Sequence, residues 1–310
     1  MKVAIATGDP AGIGPEISLK AARDPRVLAV CQPVLFGARK VLALHGALEG
    51  VQISEVKQAR PRLGTVAAEH GRAALAAAEA AIRAALAGEY QAVIGAPHTE
   101  TAIHAAGIAF DGYPSFVARV CGLPADEAVL MLCFQHEGRE VRIAHVTLHV
   151  SVAQALALIS KKRVVHTLRA VNDALSKLGI AKPRIAVSGV NPHAGESGAF
   201  GREEIELVDP AIQEARDAGL VVDGPIGADT LIQRAGYDAY VVMLHDQGHV
   251  AAKLLAPQRV AALTIGTPVL FSSVAHGSAL DIAGQGKANP DAMVEAITRL
   301  VGRRRRDPAT

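Results

Sequence analysis

Along the chain, short apolar runs alternate with longer alanine-rich stretches. Residues 2–6, 33–36, 92–95, 128–134, 141–145, 184–189, 239–243 and 260–265 are near-continuous apolar runs bounded by turn residues, the pattern of strands covered on both faces. Residues 14–23, 66–87, 151–160, 163–177, 202–218 and 290–301 instead repeat apolar positions at helical spacing. Ser151 with Gln154 fits a capping box at one helix start. This alternation predicts an α/β fold with helices on both faces of the strands. Between residues 131 and 142 the pattern changes to two strands joined by Gln135-His136-Glu137-Gly138, a hairpin and a candidate crossing between lobes. There is no internal repeat and no low-complexity linker, so two lobes would be joined by tight crossings.

Composition narrows the class without naming a chemistry. The 310 residues are 50% hydrophobic and 20% charged, as globular chains are, and long enough for two domains. A net charge of +2 supplies no field for nucleic acid or an anionic membrane, and neither is expected as a partner. Four arginines at 303–306 read as the solvated end of a final helix in preference to an anion-binding tail. The first apolar run is too short for a signal peptide, and no stretch has the length and apolarity of a membrane span. Cys31, Cys121 and Cys133 are odd in number and widely spaced, like small buried hydrophobes in a reducing compartment; a cytoplasmic location is expected.

Three segments place histidine beside turn chemistry at an expected strand end. They are Ala144-His145-Val146-Thr147-Leu148-His149, Asn191-Pro192-His193-Ala194-Gly195-Glu196 and Leu244-His245-Asp246-Gln247-Gly248-His249. Ligands of open α/β sheets bind outside the carboxyl ends of strands. Three imidazoles there would suit a divalent cation with coordination positions open to substrate. Spacing alone leaves that reading level with three unrelated loop histidines. His249 follows His245 by four residues and would share its face if the turn is helical. The segment Gly8-Asp9-Pro10-Ala11-Gly12-Ile13-Gly14-Pro15 lacks the G-x-G-x-x-G spacing and reads as a tight strand-to-helix turn. The segment from His276 to Pro290 could hold adenosine, with Asp281 accepting from ribose hydroxyls and repelling a 2′-phosphate, or could be an ordinary loop before the last helix.

The Gly8 to Pro15 segment, Asn191-Pro192-His193-Ala194-Gly195-Glu196, Gly227-Ala228-Asp229-Thr230 and His245-Asp246-Gln247-Gly248 together resemble the 4-hydroxythreonine-4-phosphate dehydrogenase family over nearly the whole chain. The resemblance implies a two-domain isocitrate/isopropylmalate dehydrogenase-like fold with the active-site cleft between domains. Residues 1–138 and 262–310 would carry the NAD adenosine loop, with His276, Gly277, Ser278, Ala279, Asp281 and Asn289 as its contacts. Residues 139–261 would carry the metal-binding histidines and the contacts of a homodimer. The resemblance implies one divalent ion per site, bound by His149, His193 and His245, two from one subunit and one from its partner. Zinc is favoured, with cobalt, manganese or magnesium as alternatives.

Departures from that pattern point to a branch of the family. Phosphate-binding members carry a lysine after the histidine matching His98, where Thr99 and Glu100 follow here. They carry a His-Thr pair where this chain has Tyr113-Pro114, and an asparagine and an arginine near Ala262 and Phe271. Pro97-His98-Thr99-Glu100, Gly112-Tyr113-Pro114-Ser115, Lys253-Leu254-Leu255-Ala256-Pro257 and Ser272-Ser273-Val274 resemble the terephthalate 1,2-cis-dihydrodiol dehydrogenase branch. The resemblance implies NAD-dependent oxidative decarboxylation of a cyclic dihydrodiol dicarboxylate to protocatechuate, carbon dioxide and NADH. Its alternative is 4-hydroxythreonine-4-phosphate or a related hydroxy-acid phosphate as substrate. The expected substrate contacts are His98, Tyr113, Ser115, Lys253 and Ser272, with Phe271 as an apolar wall. Lys253 is expected to pair with a carboxylate or carry a proton, and Asp246 to act in catalysis or to orient His245. A metallohydrolase and a non-catalytic binding protein are the rival classes, separated from this one by NADH formation.

Overall fold

The computed structural model describes residues 1–58, 60–257, 260–274 and 276–301. The arginines at 303–306 lie outside the described residues. The chain divides into two compact units, one made of Met1–Ala125 with Thr267–Thr310, the other of Asp126–Gly266.

The first unit contains β1 (Lys2–Ala6), β2 (Gln32–Gly37), β3 (Gln52–Glu55) and β4 (Ala92–Gly95). Their order is β3-β2-β1-β4, and a later strand, Phe271–Val274, pairs with β4 on the other side. All these pairings are parallel. β1 and β4 are buried along nearly their whole length, which is why both read as unbroken apolar runs. The helix Ala68–Leu86 covers them with Ala74, Leu75, Ala78, Ala81 and Ile82, spaced three or four residues apart as one helical face.

The second unit contains β5 (Val129–His136), β6 (Arg139–His145), β7 (Arg184–Ser188), β8 (Val221–Ile226), β9 (Ala239–Val242) and β10 (Ala261–Ile265) in the order β10-β5-β6-β9-β7-β8. β10, β5 and β6 run antiparallel, whereas β6, β9, β7 and β8 run parallel. The expected hairpin is β5–β6, and its turn residues Glu137 (φ 50°) and Gly138 (φ 76°) are both left-handed, the two-residue geometry that matches strand twist. The capping box forms at the helix Val152–Leu158, where the Ser151 hydroxyl accepts from Gln154 N. The strand Phe271–Val274 is β11.

The unit boundaries fall at 125/126 and 266/267, where the sequence placed them at 138/139 and 261/262. The reason is strand pairing. β5 bonds along its length to β6 on one side and β10 on the other, so neither can be parted from it. The crossing therefore precedes the hairpin. Among the described residues no helix is long and apolar enough to cross a membrane.

Candidate active site

In the second unit β6, β9 and β7 are parallel neighbours, so their carboxyl ends share one edge. β6 ends on His145, with His149 four residues later, just before the capped helix. β9 leads through Met243 and Leu244 into the helix His245–Leu255. That helix sets His245, His249 and Lys253 four residues apart, along one ridge.

The four imidazoles of His145, His149, His245 and His249 converge. His245 and His249 stack with centroids 3.8 Å apart and planes at 10°. His149 lies 5.4 Å from His245, and His145 lies 4.7 Å from His249. His145 is fully enclosed; its Nδ1 approaches Leu130 O at 3.3 Å, while its Nε2 meets no hydrogen-bond partner among the described residues. Burial, seconded by the neighbouring His249, lowers the His145 pKa to about 3. Burial followed by His245 lowers that of His249 to about 4. Both are therefore neutral near neutral pH. His245 Nδ1 lies 2.7 Å from Asp246 Oδ1. The same contact holds the Asp246 carboxyl below the usual range, so the carboxylate is ionised and can only accept. Nδ1 then carries the proton, and the His245 Nε2 lone pair is left for a cation, the arrangement in which a carboxylate orients a metal-bound imidazole.

His193 is not part of this cluster. It is exposed on the loop that leaves β7, beside Glu196 (Nδ1 to Oε2, 3.4 Å) and Phe200. His193, Ala194, Gly195, Glu196 and Ser197 all have positive φ, a left-handed turn with one glycine among five residues. Such torsions cost roughly 1–2 kcal/mol for each non-glycine residue, so the rest of the fold must hold them. Among the described residues of this single chain, no three histidine, cysteine, aspartate or glutamate side chains are grouped to hold a metal ion. The chemistry of the donors nevertheless suits a divalent cation: imidazole nitrogens beyond the carboxyl ends of strands, one with its Nε2 kept open by a carboxylate on Nδ1.

In the first unit β1, β4 and β11 are parallel, and the loops after them meet. The buried Asp9 accepts from Ala11 N at 2.9 Å and from the Thr99 hydroxyl at 2.5 Å. Thr99 Oγ1 lies 2.9 Å from Ser278 Oγ, and Ile13 N donates to Ser278 O at 2.9 Å. The segment expected to bind adenosine is anchored at its far end as well. Lys20 Nζ donates to Gly286 O, Ala288 O and Glu16 Oε1, and Glu16 Oε1 also accepts from Ala288 N. Along this segment His276, Gly277, Asp281 and Asn289 are exposed, Ser278 is buried, and Ala279 is left-handed (φ 39°). Asn289 Oδ1 accepts from Asp291 N at the start of the last helix.

The expected substrate contacts are distributed unevenly. His98 is half-buried, edge-on to Phe110 and Tyr113. Tyr113 is buried, and its hydroxyl donates to Ala96 O at 3.2 Å. Ser115 donates to Asp111 Oδ1, and Ser272 is fully buried with its hydroxyl unpartnered among the described residues. Phe271 corrects an expectation: at 0% exposure it is a core side chain packed on Tyr113, 4.7 Å between centroids, and not a wall open to a ligand. Lys253 is exposed on its helix.

The family model for the pyridoxal phosphate biosynthetic protein PdxA matches residues 26–300. The chain belongs to this family. It is 45% identical over 308 residues to the 1,2-dihydroxy-3,5-cyclohexadiene-1,4-dicarboxylate dehydrogenase of a Comamonas species, covering 96% of each chain. A solved structure named as a terephthalate 1,2-cis-dihydrodiol dehydrogenase, from Burkholderia xenovorans LB400, is 43% identical with a TM-score of 0.76, covering 97% of each chain. The 4-hydroxythreonine-4-phosphate dehydrogenase of Klebsiella pneumoniae is 33% identical with a TM-score of 0.83, covering 96% of this chain and 98% of that one. These family members are dehydrogenases, and the chain is an oxidoreductase. In fold alone it also resembles the isocitrate dehydrogenase of Methylococcus capsulatus, at 17% identity and a TM-score of 0.51 over 96% of this chain and 84% of that one.

Sequence reasoning passed over the Asp9–Thr99–Ser278 link and the Glu16–Lys20 anchor. One signal was available for the first: an aspartate in an otherwise small and apolar turn is a polar group that burial obliges to find donors.

Proposed function

We propose that this chain catalyses NAD-dependent, metal-assisted oxidative decarboxylation of 1,2-dihydroxy-3,5-cyclohexadiene-1,4-dicarboxylate, the terephthalate cis-dihydrodiol. The dihydrodiol dicarboxylate and NAD give protocatechuate, carbon dioxide and NADH. The observation that carries this reading is the state of Thr99. By resemblance, phosphate-binding members place a lysine here; in this chain the Thr99 hydroxyl is committed to the buried Asp9 carboxylate. A phosphate dianion would meet an anion where it needs a cation. The Comamonas relative, named for this dicarboxylate, supports the same choice.

The chain's own residues then divide the work. Asp246 fixes the tautomer and direction of His245. A divalent cation held by His149, His193 and His245, shared between two copies of the chain, would supply Lewis acidity toward the substrate hydroxyls. Zinc suits imidazole donors best, with cobalt, manganese or magnesium as alternatives. NAD, held by the exposed residues of the loop from His276 to Asn289, would accept the hydride. Asp281 on that loop favours ribose hydroxyls over a 2′-phosphate by charge. Lys253, on the ridge of His245 and His249, offers an ammonium to a substrate carboxylate or a proton to the enolate oxygen left when carbon dioxide departs. Homodimer formation is supported by exposed apolar side chains beside the histidines: Val150, Val152, Leu156, Val250 and Leu254, the last 75% exposed. A cytoplasmic location belongs to the same reading, as the widely spaced cysteines suggested.

The relatives named for 4-hydroxythreonine-4-phosphate keep a second reading, in which that compound or a related hydroxy-acid phosphate is the substrate. Steady-state kinetics decides between them. NADH formation is measured with the dihydrodiol and with 4-hydroxythreonine-4-phosphate, with and without added metal. The expected result is a far higher kcat/KM for the dihydrodiol; a higher value for the phosphorylated compound overturns the proposal.

A further inference from the structure

The turn that carries His193 is held by a buried carboxylate from elsewhere in the same unit. Glu204, 2% exposed, opens a single π-helical turn, Glu204–Val208, that runs into the helix Asp209–Asp217. Its Oε1 accepts from Val190 N at 2.7 Å and Asn191 N at 2.8 Å. Its Oε2 accepts from Asn191 Nδ2 at 2.9 Å. These donors sit just past the end of β7, two and three residues before His193. On the other side of His193, a Cβ placed on Gly195 would come within 2.5 Å of Glu204 Oε2, and one on Gly189 within 2.9 Å of Oε1. One carboxylate thus grips the chain before His193 and is pressed against it after.

We infer that Glu204 is a positioning residue for His193: its carboxylate keeps the turn from His193 to Ser197 left-handed and so fixes where the imidazole points. The inference rests on the reading of His193 as a metal ligand. Its physical basis is donor counting. Three N–H groups converge on Glu204, and an ionised carboxylate, which only accepts, satisfies all three. An amide of the same shape presents one acceptor and one donor, so one end of the grip meets N–H with N–H. The turn's backbone bonds, Ala194 N to Asn191 O, Ala199 N to Glu196 O and Phe200 N to Gly195 O, are local to it, whereas Glu204 ties it to the helix that follows; Ala194, Glu196 and Ser197 would each favour leaving the left-handed region if released.

The test measures zinc affinity by competition with a chromogenic chelator, on the full-length chain, for Glu204→Gln and His193→Ala. Supporting residues of metal ligands are worth 10- to 100-fold in affinity, so Glu204→Gln is expected to weaken zinc by about that factor. The number of sites should stay at the native value, and turnover should recover at saturating zinc. A merely structural defect would reduce the number of competent sites without moving the affinity of each. Native zinc affinity in folded Glu204→Gln, with zinc lost from His193→Ala, overturns the inference and leaves the metal reading standing. Native affinity in His193→Ala removes the metal reading, and the inference with it. If Glu204→Gln does not fold, Asn191→Ala, which removes the Nδ2 bonds to Glu204 Oε2 and Glu203 Oε2, is compared with Glu203→Ala, which removes the second alone: a site weaker in Asn191→Ala than in Glu203→Ala sustains the inference, and equal affinities end it.

Discussion

His98 shows how burial turns one residue into a pH sensor of stability. Its ring is enclosed by Phe110 and Tyr113, and burial lowers its pKa below the usual 6.5, against an opposing pull from Glu100 and Asp9. The unfolded chain therefore takes up a proton near pH 6.5 that the folded chain refuses. The stabilising contribution is complete above that pH and is lost as pH falls from 6.5 toward the lower folded value. The limiting slope for one such group is about 1.4 kcal/mol per pH unit. Urea unfolding at about pH 7.5 and about pH 5.5 should show a smaller loss of stability on acidification for His98→Gln than for the native chain. Equal losses would mean that His98 does not titrate in this way. At this scale the sequence was readable where chemistry is local and silent where it depends on contact. Asp246 beside His245 is an adjacent pair and could be named. The buried state of Tyr113, Ser115, Ser272 and Phe271 follows from which helix and strand lie over them, and no spacing along the chain reports that.

Among the elements, the helix His245–Leu255 depends on a close approach. A Cβ on Gly248 would lie 2.3 Å from His145 Nε2 and 2.9 Å from Ile143 Cγ2, and both side chains are boxed in by β6 and its neighbours. Alanine is the better helix former by roughly 1 kcal/mol, so propensity alone favours Gly248→Ala. Overpacking typically costs 1–3 kcal/mol and should win, because His145 has no empty space to enter. The variant is expected to melt several degrees lower in thermal denaturation; a higher melting temperature would show that the helix shifts freely. This helix was not legible in the sequence, because His245-Asp246-Gln247-Gly248 looks like a turn and its apolar face is short. The same holds for β8, whose Asp223, Gly224 and Pro225 break any apolar run, and for β3 and β11, four residues each. Strands that are apolar along both faces, such as β1, β4 and β5, were legible because burial writes itself directly into composition. The left-handed turn at His193 was not, because His193, Ala194, Glu196 and Ser197, taken alone, each prefer the right-handed region.

At the scale of the whole molecule, the proposed metal site calls for two copies of the chain. His149 and His245 lie together in one chain while His193 stands apart, exposed, on its own loop. A site that takes two histidines from one subunit and one from the other makes a prediction that a self-contained site does not. Three inactive proteins are needed, His149→Ala, His193→Ala and His245→Ala, mixed in pairs after reversible dissociation. When the two lesions fall on opposite sides of the sharing, a hybrid dimer collects both damaged residues in one site and leaves its other site whole. Random pairing makes about half the dimers hybrids, each with one of two sites intact, so activity and bound zinc should return to about a quarter of the native value. When both lesions fall on residues that one subunit contributes to the same site, every site stays damaged and nothing returns. Two of the three mixtures should therefore recover and one should not, and the silent mixture identifies the two histidines that act within one subunit. Silence in all three, with hybrid dimers demonstrated by differently tagged chains, would place the metal within a single subunit and refute the shared site.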